Sequence, residues 1–205
     1  STLTEKLDAA LDIYSDVILN PAFPEQELSR LKKQSLARIQ QEKASPFTMA
    51  LRLLPQYLYG QEHAYGVPFT GSGTEASIEK MTVQVLQNFH QTWFKPNNAT
   101  LVVVGDVKLA DLTPKLEKAF KSWKKGSVPK KNVTMVAQKA KSQIYLIDKP
   151  QAQQSFIIAG QIVTPKSDPD DIAVQMMNNI LGGTFTSRIN MNIREDKHWS
   201  YGAHS

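Results

Sequence analysis

Arg194 and Tyr201 stand seven residues apart in INMNIREDKHWSYGAHS, the stretch of the chain densest in polar chemistry. A guanidinium carries a permanent charge and five donors in a fixed plane, and a phenol adds one hydroxyl. Together they suit gripping a carbonyl oxygen or stabilising an oxyanion. The competing reading pairs Arg194 with Glu195 or Asp196 at the surface and buries the tyrosine in a core. Spacing alone does not separate the two, because surface ion pairs are common.

Other chemistries fit less well. Two histidines on one helical face, as in H-E-x-x-H or H-x-x-E-H, let a single tetrahedral zinc ion bridge them. His63, His90, His198 and His204 are scattered and none has that spacing. His63, in GQEHAYG, reads as a histidine that hydrogen-bonds a turn, and His90, in LQNFHQTW, as a structural histidine on a helix face. The TGSGT stretch does not match the G-x-S-x-G nucleophile elbow, and no strand leads into it. It has neither G-K-[ST] nor a helix-opening G-x-G-x-x-G, so a phosphate cradle is not indicated. No cysteine is present, which excludes disulfides, thiol catalysis and cysteine-built zinc sites.

The elements that would position these residues follow from periodicity. Leu3, Leu7, Ala10, Leu11, Tyr14, Val17 and Ile18 recur at helical spacing, and Asn20-Pro21 and Pro24 stop that helix. A second helix follows Phe23-Pro24, carries Leu28, Leu31, Ser35, Leu36 and Ile39 on one stripe, and ends near Ser45. The third opens with Ser45 as N-cap and Pro46 at its first position, meets a kink or break at Pro55, and closes at Gly60. QEHAYGVPFTGSGTEAS is loop. TVQVLQNFHQTWF is a helix capped by Thr82, and LADLTPKLEKAFKSW is another. NATLVVVGDV, QIYLIDK and QSFIIAGQIV read as strands, DPDDIAVQMMNNIL and FTSRINMNIRED as helices, and WSYGAHS as the start of a strand.

Apolar residues at 41% and charged residues at 21% place the chain among ordinary globular proteins rather than disordered ones. No apolar run approaches the length of a membrane span, and no secretory leader is visible. The net charge of +5 is concentrated locally: ten lysines against Glu117 and Asp148 between Lys115 and Lys149. These lysines lie on a helix end and a polar connector without arginines or interleaved aromatics, so a solvated linker fits better than a nucleic-acid or anionic-membrane face. The composition shift marks residues 127–140 as a basic linker between residues 1–126 and 141–205.

The ordered phrases YSDVILNPAFPEQEL, IQQEKASPF, LYGQEHAYGVPFTGSGTEASIEKMT, NFHQTWFKPNNATLVVVGDV, LIDKPQAQQSFIIAG and NNILGGTFTSRINMNIREDKHWSYGAHS resemble the insulinase/pitrilysin family of zinc metallopeptidases, which includes the mitochondrial processing peptidase. The resemblance runs from about Leu11 to Ser205. It implies an α+β fold with helices packed on a mostly antiparallel sheet. Residues 1–126 would be the back part of one repeat and 141–205 the front part of the next. The family's H-x-x-E-H would lie before residue 1. Its third zinc ligand is a glutamate about eight residues before a proline; counting back from Pro46 reaches Arg38, and a cation cannot ligate zinc. Glu42, the nearest acid, comes one turn too late.

The resemblance therefore implies the metal-less half of a peptide-hydrolysing enzyme, with zinc supplied by a homologous half fused upstream or on a separate chain. Arg194 and Tyr201 match a family pair that binds the substrate backbone beside the scissile carbonyl. Gly182 and Gly183 would allow a tight helix turn, with Ser187 and Arg188 fixing the local fold. Bacterial relatives of this type imply a periplasmic location, and a dimer is left open. The alternative is an inert scaffold of the same fold.

Overall fold

Helices form where apolar residues recur at helical spacing. In this computed structural model, which describes residues 1–131 and 133–205, a 3₁₀ turn at Thr4–Lys6 leads into α1 (Leu7–Leu19). The Asn20 amide donates to the Asp16 carbonyl at 2.7 Å and Pro21 follows, so α1 stops where the sequence predicts. Helix α2 (Glu25–Ala44) starts after Pro24 with Glu25 and Glu27 in its first turn, a favourable charge for a helix N-terminus. Its stripe buries Leu28 and Ile39.

Helix α3 (Pro46–Tyr59) continues through Pro55, so of the expected kink or break there is no break. Proline has no N–H to give the carbonyl four residues back. That carbonyl belongs to Leu51, and it accepts instead from the Phe69 N–H at 3.1 Å. The helix survives because the following loop satisfies the freed acceptor, and Pro55 thereby fixes where the loop docks.

Within that loop, α4 (Glu75–Glu79) is a short helix that the sequence reading assigned to coil. It is held by a reciprocal cap: the Thr74 hydroxyl accepts from Ser77 N–H, and the Ser77 hydroxyl accepts from Thr74 N–H. Helix α5 (Val83–Trp93) opens with the Thr82 hydroxyl accepting from Val85 N–H at 3.3 Å. Helix α6 (Leu109–Phe120) packs on α1, where Tyr14 meets Phe120 edge-to-face at 6.2 Å.

The chain forms two compact units, Ser1–Ala159 and Gly160–Ser205. The second contains α7 (Asp171–Asn178), which continues as a π-helical turn over Asn179–Gly183. It also contains α8 (Arg188–Asn190), which continues as a π-helical turn over Met191–Asp196.

The expected antiparallel sheet is not what the structure shows. Among the described residues there is no β-strand. The runs read as strands are extended or irregular chain without ladder hydrogen bonds. Valine and isoleucine supply propensity, but a strand exists only when its N–H and C=O groups pair with another. Here alternate side chains stand in water instead: Val104 is 92% exposed, and Ile144 and Leu146 are each 96% exposed. Some rings from these runs are held, with Tyr145 stacked on Tyr57 of α3 at 3.9 Å and Phe156 edge-on to Phe47 at 5.0 Å.

Candidate functional site

In the second unit the sequence-predicted pair sits on a short, tightly pinned frame. Ser187, 2% exposed, occupies the cap position of α8, and its hydroxyl has no partner among the described residues. Asn190 is buried; its Nδ2 donates to the Phe185 carbonyl at 2.6 Å and its Oδ1 accepts from Ala203 N–H at 3.0 Å. Gly182 lets the chain at 203–205 approach closely. A Cβ there would stand 2.2 Å from the Ser205 hydroxyl oxygen, and the Gly182 carbonyl accepts from Ser205 N–H at 3.0 Å. Gly182 and Gly183 lie in the helical turn Asn179–Gly183, and neither has a positive φ.

Arg194 lies on the π-helical turn. Its guanidinium carbon sits 4.6 Å from the centre of the Phe185 ring, and its Nη1 is 3.5 Å from Glu195 Oε1. That separation is an ion-pair distance but too long for a good hydrogen bond. Nη1 has no hydrogen-bond partner, and the guanidinium makes no hydrogen bond among the described residues. Tyr201 is 90% exposed, which removes the alternative that placed it in a core. His198 closes the turn that carries Arg194. It takes the left-handed backbone (φ 56°) that ends the helix, and its Nδ1 pairs with the Arg194 carbonyl at 3.1 Å.

In the first unit the structure answers the question about Arg38. Its Nε donates to Glu42 Oε1 at 3.0 Å and its Nη2 to the Thr70 carbonyl at 3.1 Å. Glu42 is 6% exposed and lies at the centre of a network the sequence reading did not find. Arg52 Nη1 donates to Glu42 Oε2 at 2.6 Å and to Ser72 Oγ at 2.6 Å, and Arg52 Nη2 donates to the Gly73 carbonyl at 2.8 Å. Ser72 Oγ itself donates to Glu42 Oε2 at 2.6 Å. Burial works to raise the Glu42 carboxyl. The Ser72 hydroxyl, the Arg52 guanidinium, the Thr70 hydroxyl and Arg38 outweigh it and hold the group at about 2, against an ordinary 4.5.

TGSGT is therefore a lid over a buried ion pair, and Gly71 and Gly73 supply the positive φ (71° and 70°) its turns need. These residues do not fit zinc: two cations and a hydroxyl already surround the carboxylate. No cluster of three or more His, Cys, Asp or Glu suited to an ion occurs among the described residues.

His63 and His90 are local supports. His63 Nδ1 accepts from Tyr65 N–H at 3.0 Å, the turn role read from the sequence, and its Nε2 pairs with the Thr134 carbonyl. His90 Nε2 pairs with the Ile18 carbonyl at 2.7 Å, tying α5 to the end of α1. No described helix is long and apolar enough to cross a membrane.

The chain superposes on the crystal structure of a peptidase M16 inactive domain from Pseudomonas fluorescens, with TM-score 0.75 and 26% identity over 97% of this chain and 47% of that one. That likeness defines the class: a peptidase-family module of the kind described as an inactive domain. The chain belongs to the peptidase M16 inactive domain family, whose sequence model matches residues 80–205. It is 25% identical to the uncharacterized zinc protease YmxG of Bacillus subtilis over 99% of this chain and 48% of that protein. It is 24% identical to the non-peptidase homolog YmxG of Helicobacter pylori over 98% of this chain and 46% of that protein. The chain thus spans about half the length of the curated relatives it matches.

Proposed function

We propose that this chain is the substrate-gripping, metal-less half of an M16 peptidase, and that Arg194 and Tyr201 hold the backbone of a peptide beside the bond to be cut. The observation that carries the reading is the state of Arg194. Its guanidinium makes no hydrogen bond among the described residues, has its carbon 4.6 Å from the centre of the Phe185 ring, and sits seven residues before an exposed tyrosine. Charged donors left without acceptors are costly to keep unless something else accepts from them. A substrate carbonyl oxygen gaining negative charge is such an acceptor, and the Tyr201 hydroxyl adds a second donor. The zinc ion and general base belong, on this reading, to a homologous half that completes the chamber, and the assembly lies in the periplasm.

In the assembled peptidase, Arg194→Ala and Tyr201→Phe are each expected to lower kcat by about 10²–10³-fold, the loss typical of one oxyanion donor. Zinc content should stay unchanged. Full turnover in Arg194→Ala would remove the role. The second reading is an inert scaffold of the same fold, favoured by the naming of the Helicobacter pylori relative as a non-peptidase homolog. It predicts that the complete protein cleaves no peptide.

A further inference from the structure

Arg194 is held on a platform. An arginine within about 6 Å of an aromatic centroid is attracted to the ring face. Stacking uses the flat face of the guanidinium and leaves its in-plane N–H groups free, so it restrains direction without consuming donors. The Arg194 guanidinium carbon lies 4.6 Å over the Phe185 ring, within that range, and no hydrogen bond among the described residues competes.

Phe185 is itself fixed from beneath. Its carbonyl accepts from Asn190 Nδ2 at 2.6 Å, and the same buried amide takes the Ala203 N–H, two residues beyond Tyr201. The ring is nonetheless 60% exposed, so burial of its own surface does not account for it.

We propose that Phe185 is a positioning residue that sets the plane of the Arg194 guanidinium, with Asn190 tying that plane to the segment bearing Tyr201. This rests on the reading that Arg194 and Tyr201 grip the substrate backbone. An aliphatic residue at 185 would fill the same space but leave the guanidinium free to swing toward Glu195, 3.5 Å away.

The test uses the complete two-half protein and a dye-labelled, unfolded casein peptide, read as kcat and KM where the peptide is cleaved and as Kd where it is only bound. Phe185→Leu is expected to lower kcat, or weaken binding, about five-fold with zinc content unchanged, the size of a partly exposed cation–π contact. Phe185→Trp should stay within about two-fold, because it keeps a ring face. In an Arg194→Ala background Phe185→Leu should cost nothing further, whereas a merely structural role would persist there. Slow turnover in Arg194→Ala with full turnover in Phe185→Leu overturns this inference alone, and so does an equal loss in both backgrounds. Full turnover in Arg194→Ala overturns the grip and this inference together, as does a complete protein that neither binds nor cleaves the peptide.

Discussion

Arg52→Met removes the main cation from a buried carboxylate while keeping most of the side-chain volume. Three charge-assisted hydrogen bonds go: to Glu42 at 2.6 Å, to Ser72 at 2.6 Å and to the Gly73 carbonyl at 2.8 Å. Summed at about 1.5–3 kcal/mol each they would suggest about 4.5–9 kcal/mol. That overstates the effect, because Glu42 keeps the Ser72 hydroxyl and Arg38. Stripping one partner from a buried pair costs about 3–5 kcal/mol, and the surviving donors place this case near the lower end, at about 3 kcal/mol. Native-state hydrogen exchange at neutral pH, read at the amides of α2 and α3, should therefore show about 150-fold less protection. A Glu42→Met/Arg52→Met double variant leaves no uncompensated charge and should regain most of the loss. Wild-type protection in Arg52→Met, or a double variant weaker than the single, would refute the account of Glu42 as a charge that depends on its partners.

The same network sets an acid limit. Glu42 is depressed from 4.5 to about 2 in the folded chain, so its contribution of about 3 kcal/mol is complete above pH 4.5 and disappears as pH falls toward 2. Urea unfolding of the first unit across pH 2–6 should show that loss, and in Glu42→Gln the slope over this window should flatten. Gly182→Ala would bring a Cβ to 2.2 Å from the Ser205 hydroxyl oxygen and 2.9 Å from its nitrogen. The Ser205 amide should then exchange faster, at an overpacking cost of about 1–3 kcal/mol, while α2 and α3 keep their protection.

The helices were legible because their causes are local. Thr82 caps α5 and Pro24 precedes α2 as the sequence indicates, and each apolar stripe lies within one segment. The strands were misread for the converse reason. LVVV at 101–104 states a preference that only a pairing partner can realise, and no ladder forms among the described residues. That α3 continues past Pro55 was not legible, because the compensation comes from Phe69, outside the helix. For the candidate site, the spacing of Arg194 and Tyr201 could be read directly. The ring under Arg194 could not, because Phe185 is separated from it by a helix whose π-helical geometry changes which residues share a face.

The Glu42 network went unseen because its members stand far apart along the chain, at 38, 42, 52, 70 and 72, and each looks ordinary alone. One clue was available. Arg52 interrupts MALRLL, and Glu42 lies three residues beyond Ile39 on the buried stripe, so each puts a charge where its helix turns inward. Two opposite charges at inward positions of consecutive helices are tolerable only if they meet. The consequence reaches the metal question. A carboxylate near the end of α2 could look like a displaced zinc ligand, but one that is paired with Arg52, contacted by Arg38 and covered by Ser72 has its charge already answered. Glu42 holds two helices and a loop together, and a metal ion there would meet two guanidinium groups. Freeing it for a metal would require removing Arg38 and Arg52, and with them the contacts that place the loop over α3.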